Sequence, residues 1–233
     1  GYQAGFGISI GTENTAIGCS ALDADPSTGD NNTAVGAHAL TQATSGANNT
    51  AVGYQAMNTL QTADNNTALG FGALYTNVDG DANVGVGYDA LKYNTAAGNT
   101  GVGFYSLRNN TTGSSNTALG YNSLGANTEG QDNVAVGHSA LVSANHADAD
   151  GNTAVGYDSL GNVTEGASNV GVGKESGNAI TTGDFNIAIG KSALASSTTT
   201  NSSVAVGAHA LQYSTSAQLT AIGKSALHAN TSG

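Results

Sequence analysis

A glycine recurs at residues 18, 36, 53, 70, 87, 103, 120, 137, 156, 173, 190, 207 and 223, each time inside one short motif. The steps between them run from 16 to 19 residues, and most are 17. Clear copies are Asn49-Thr50-Ala51-Val52-Gly53, Asn116-Thr117-Ala118-Leu119-Gly120 and Asn152-Thr153-Ala154-Val155-Gly156. Self-similarity at so short a period marks a repeat architecture, in which each unit buries surface only against its neighbours. The period therefore overrides the one or two ordinary domains that 233 residues would otherwise suggest.

Within the motif the second place is β-branched in all thirteen copies, the third is Ala or Gly, and the fourth is Val, Ile or Leu. Alternation at period two is the signal of a strand. It puts the β-branched residue and the Val, Ile or Leu on one face, with Asn, Ala and Gly on the other. A second β-like piece, Tyr-x-Ala-Leu, follows; Met57 replaces its Leu once and Gly177 interrupts it once. A loop rich in Gly, Ser, Thr, Asn and Asp then returns the chain, and the variation in length is confined to these loops. A helix is excluded, because the apolar places do not recur at 3.6 residues and every unit carries a glycine.

The reading is an all-β parallel β-solenoid of about thirteen coils with a ~17-residue repeat, its equivalent strands stacked roughly 4.8 Å apart. Residues 1–13 form a degenerate partial repeat, 14–227 the thirteen-repeat roll, and 228–233 the start of a further repeat. The chain begins and ends inside a repeat, so it is expected to be the interior of a longer polypeptide. One coil is too small for a thick core, and its Asn/Ala/Gly face has almost no side-chain bulk. Three rolls packed about a common axis would cover that face, which predicts a homotrimer.

Composition narrows the partners. The net charge is −11 with five Lys and Arg, so a basic footprint for nucleic acid or for an anionic membrane surface is missing. No apolar run reaches the roughly 18 residues of a membrane helix, so no membrane insertion is expected. The single Cys19 cannot form an intrachain disulfide and occupies a place filled elsewhere by Tyr, Ala or His.

Candidate chemistry is sparse. Asp79 and Asp81, and likewise Asp148 and Asp150, have the short oxygen-ligand spacing that Ca²⁺ favours, but the distal bidentate Glu of a calcium loop is lacking. These four are candidate Ca²⁺ ligands set against the plainer reading of solvated turn formers, and no other cofactor is implied. The motif residues Asn49, Ala51, Val52, Gly53, Asn116, Gly120, Asn152 and Gly156 are read as structural, the asparagines as a stacked amide ladder. His38 and His209 share one place ten coils apart, and no ligand pair forms within the chain. No serine stands in a nucleophile elbow, and Gly85-Val86-Gly87 lacks the third glycine of a dinucleotide fingerprint. No catalytic residue is assigned, and an enzyme is not expected. An ice-binding Thr array is disfavoured by Val or Ile at five of the thirteen second places.

Asn186-Ile187-Ala188-Ile189-Gly190-Lys191-Ser192-Ala193 and Ser203-Val204-Ala205-Val206-Gly207 resemble the head repeats of YadA-type trimeric autotransporter adhesins. The longer Asn-Thr-Ala-Val-Gly-Tyr-x-Ala-Leu unit is similar to repeats in bacteriophage tail fibres and large bacterial surface proteins. The resemblance covers nearly all of residues 14–227. It implies a left-handed, trimeric β-roll that serves as the head or shaft of an extracellular fibre. The expected function is a non-enzymatic structural and adhesive segment of a virion tail fibre, mediating attachment to a host surface. Its partners are two further copies and an unknown surface receptor, which a glycan would suit. The alternatives are a bacterial cell-surface adhesin or filament and, further off, a glycan-degrading tailspike, for which the absence of Trp leaves poor sugar platforms.

Overall fold

A computed structural model describes residues 1–230; residues 231–233, the end of the stretch 228–233, lie outside the described residues. The chain forms two compact units, Gly1–Ser115 and Asn116–Gly233. In the first the strands are β1 (Thr15–Ile17), β2 (Thr33–Val35), β3 (Thr50–Val52), β4 (Thr67–Leu69), β5 (Val84–Val86) and β6 (Thr100–Val102). In the second they are β7 (Thr117–Leu119), β8 (Val134–Val136), β9 (Thr153–Val155), β10 (Val170–Val172), β11 (Ile187–Ile189), β12 (Val204–Val206) and β13 (Thr220–Ile222). In each unit the strands lie in chain order and pair in parallel, one strand per coil, with no helix among the described residues. Each unit is thus a parallel β-solenoid.

Register follows the repeat. Thr50 pairs with Thr67, Ala51 with Ala68 and Val52 with Leu69, so every residue stacks on its equivalent in the next coil. The strand ends after three residues because the motif glycine departs from extended geometry, with φ of +138° at Gly53 and at Gly70. Such φ values are accessible to glycine and strained for any residue with a Cβ.

The Tyr-x-Ala-Leu piece is not a strand, contrary to the sequence reading. Its second and fourth places take the left-handed conformation, as at Gln55 (φ 56°) and Met57 (φ 49°), or at Ser139 (φ 53°) and Leu141 (φ 50°). The chain therefore turns twice within four residues. Each turn is still hydrogen-bonded between coils: Gln55 N–H donates back to Ala37 O at 3.0 Å, and Met57 N–H forward to Ala73 O at 3.0 Å.

Those turns decide which face is inside. They swing the Leu into the coil, where Leu40, Met57, Leu74, Leu91, Leu107, Leu124, Leu141, Leu160 and Leu194 are all fully buried. Directly opposite lies the third place of the strand: a Cβ added at Gly101 would meet Leu91 Cγ at 3.1 Å. The Asn/Ala/Gly face therefore packs on the chain's own leucines. The expectation that neighbouring rolls cover this face is corrected, because the Ala row already has its partner. The Thr/Val row is the one that faces outward, with Leu69 and Leu119 each 49% exposed.

Candidate functional site

The motif asparagines form a buried ladder. Asn49 Oδ1 accepts the backbone N–H of Asn66 at 2.9 Å, and Asn66 Oδ1 accepts that of Asn83 at 2.8 Å. Asn66 Nδ2 donates to Asp64 O at 3.1 Å and Asn49 Oδ1 at 3.2 Å, whereas in most rungs the Nδ2 reaches a carbonyl of its own returning loop, as Asn49 does to Ala63 O at 2.8 Å and Asn116 to Gly130 O at 2.8 Å. Asn152 does the same with Gly166 O at 2.9 Å while its Oδ1 accepts Asn169 N–H at 2.9 Å. One amide thus closes its own coil and docks the next one. Asn49, Asn116 and Asn152 are buried, as is Ala51, so none of them is accessible to a ligand. Gly53, Gly120 and Gly156 stack backbone on backbone; Val52 lies on the outer face, half-buried.

The acidic loop residues are engaged by the chain itself. Asp79 Oδ1 accepts the Thr62 hydroxyl at 2.7 Å, and Asp81 Oδ1 accepts the Asp64 N–H at 2.8 Å. Asp150 Oδ1 accepts the Gln131 N–H at 2.7 Å, and Asp148 lies 3.3 Å from His146 Nδ1. The recurrence of Asp two residues before the motif Asn has the same cause at Asp30, Asp64 and Asp184, each of which holds a backbone N–H of the preceding coil. In the second unit Asp148, Asp150, Glu165 and Asp184 line an open groove of about 430 Å³. Among the described residues no three such side chains converge as metal ligands would. Asp79 and Asp81 belong to the first unit and Asp148 and Asp150 to the second.

The outward strand row is the extended feature of the surface. It carries Ile17 and Leu69 in the first unit, and Leu119, Val155, Val172, Ile189 and Ile222 in the second, all exposed. Beside it runs an aromatic column at the place after the glycine. Tyr54, Phe71 and Tyr88 stack with centroids 5.3 and 5.0 Å apart, and Phe104 continues the column at 5.1 Å. In the second unit His138 stacks between Tyr121 and Tyr157 at 4.9 and 5.3 Å, and Lys174 Nζ lies 5.3 Å from the Tyr157 centroid. The spacing is that of the strand stack, so the rings present edges rather than faces to solvent. Cys19 is an exposed thiol at the same place.

The remaining histidines are dispersed; His209 Nδ1 and His228 Nε2 share Gln212 Oε1 at 2.8 and 3.0 Å. One cluster was not anticipated from the sequence: Asp89, Lys92, Tyr93, Tyr105 and Arg108 converge in the first unit. Its signal was available, since Lys92 and Arg108 occupy one place of the repeat in successive copies. No protein-family model, curated protein or solved structure matches the chain.

Proposed function

We propose that the chain is a non-enzymatic, structural and adhesive segment of an extracellular fibre, built as a homotrimer of left-handed β-rolls. The observation that carries this reading is the exposed Val/Ile/Leu row of the strands in each unit. Contiguous apolar surface of that kind is uncommon on a soluble monomer and is covered in an assembly. Three copies about an axis parallel to the stack would each turn this row inward. The buried ladder beneath it stiffens each unit, because the asparagine-bearing coils are tied to their neighbours through both backbone and side-chain amides. The recurring residues are consumed by that scaffold, so contact with a host surface falls to residues that vary between coils. The bearer is a virion tail fibre, on the strength of the longer Tyr-x-Ala-Leu unit.

Mass in solution tests the assembly. Light scattering on the purified chain is expected to give three times the 22.8 kDa chain mass, and a monomer would contradict the proposal. Release of sugar from host polysaccharide by this segment would instead establish the tailspike alternative.

A further inference from the structure

The only lysine and arginine of the unit Gly1–Ser115 are Lys92 and Arg108. Both stand five residues after the motif glycine, Gly87 and Gly103, in adjacent coils. Tyr93 N–H donates to Arg108 O at 3.1 Å, which fixes the two side by side. Asp89 is buried beneath them, its Oδ2 3.0 Å from Lys92 Nζ and 3.6 Å from Arg108 Nε. Two rings hold the guanidinium, whose carbon lies 5.3 Å from the Tyr93 centroid and 4.8 Å from that of Tyr105. Tyr105 is itself packed on Phe104 at 4.1 Å.

The scaffold does not require this arrangement. Other coils carry Asn58, Gly125, Val142, Gly161 or Asn178 where Lys92 and Arg108 stand, and Gln55 or Ser139 where Asp89 stands. The cluster is an addition to the coil. One carboxylate faces two cations, so a positive charge is left over on an otherwise acidic chain. The Arg108 side chain hydrogen-bonds through Nη1 to Asn109 Oδ1 at 3.5 Å and is 30% exposed. A guanidinium whose plane is already fixed, with donors to spare, loses little freedom on meeting a planar anion.

We infer that Arg108, with Lys92 and the exposed residue Tyr93, forms a binding site for a carboxylate-bearing saccharide. The carboxylate takes the guanidinium fork and the ammonium, and the sugar ring lies against Tyr93. The inference rests on the fibre reading, in which this segment meets a glycan-coated surface. The net charge of −11 opposes long polyanions, but screening confines that repulsion to about 8 Å at physiological salt. A short acidic sugar is therefore the suitable probe.

Trigalacturonic acid and neutral galactotriose would be titrated into the full chain while the ring resonances of Tyr93 and Tyr105 are followed by NMR. Saturable shifts with the acid alone are expected, weakened about tenfold by Arg108→Gln. Lys92→Gln, which keeps the ring clamp on Arg108, is expected to weaken binding about threefold, with some fall in melting temperature because the buried Asp89 loses its ammonium partner. Equal response to the neutral sugar, or acid binding unaltered in both variants, would overturn the site. A trimeric mass without acid-selective binding overturns the site and leaves the fibre intact; a monomeric mass with such binding does the reverse.

Discussion

Gly120 and Gly137 are stacked so closely that a Cβ on Gly120 would sit 2.5 Å from the Gly137 carbonyl oxygen. Gly120 also has a φ of +138°, so two independent constraints exclude a side chain. Gly120→Ala is expected to cost on the order of 3 kcal/mol. Gly151 is the contrast: it too has positive φ, at +65°, but an added Cβ would meet only Ser168 Oγ at 3.7 Å. Its place is taken elsewhere by Asn31, Asn48 and Asn65, so Gly151→Asn should change stability by less than about 0.5 kcal/mol. Parallel denaturant melts of the two variants provide the comparison.

Asn66→Ala should open the ladder at one rung. The buried Asn83 N–H loses its acceptor, whereas the Asp64 carbonyl keeps the Ala82 N–H. Leaving one such buried donor unpaired costs about 1–3 kcal/mol. Hydrogen exchange resolves the effect residue by residue, which suits a repeat array that need not unfold as one unit. Faster exchange at the Asn83 amide is expected, whereas Asn65→Ala, on the exposed turn, should leave that amide protected.

Leu69→Asp separates the chain alone from its assembly. In a single roll Leu69 is 49% exposed, and the change should cost no more than about 0.5 kcal/mol. In a trimer that buries the outward row, three carboxylates would be forced together without cations. The variant is expected to give the monomer mass with an unaltered far-ultraviolet circular dichroism spectrum; a retained trimer would exclude this row from the interface.

Two carboxylates are expected to titrate on opposite sides of 3.8. Asp30 is held below it by the N–H and hydroxyl of Thr12, and Asp158 is held above it chiefly by desolvation, with Asn178 opposing. For Asp30 the unfolded chain binds more protons between the two values, so its contribution is present above 3.8 and is lost as pH falls through the depressed value. For Asp158 the folded chain binds more, so stability falls as pH rises from 3.8 through the raised value. Carboxyl ¹³C titration of the folded protein would report both midpoints, and the reverse order would refute the assignment.

Melting in excess chelator and in millimolar Ca²⁺ should give the same transition. Asp79, Asp81 and Asp150 already spend an oxygen on hydroxyl or N–H donors of the adjacent coil. A rise in the transition with Ca²⁺ would return the ion to the account, with Asp79 and Asp81 or the groove lined by Asp148, Asp150 and Asp184 as its place.

The sequence by itself determined the coil. A β-branched residue, a small one and a Val, Ile or Leu before a glycine, repeated at seventeen residues, leave little besides a parallel stack with register set by the repeat. It also put Asn and Gly at the places a thin coil reserves for an amide rung and a bare backbone. Alternation defines two strand faces without saying which is inside, and bulk alone pointed the wrong way. The tertiary structure decided it through Met57, Leu91 and Leu141, which sit at positive φ where a non-glycine residue is not legible from sequence. Their turn carries the leucine across the coil and fills the space, so only Ala or Gly fits opposite and the larger Val and Leu69 are left outside. Likewise, repeat register could align Lys92 with Arg108, but only folding brought Asp89 beneath them and Tyr93 and Tyr105 around them.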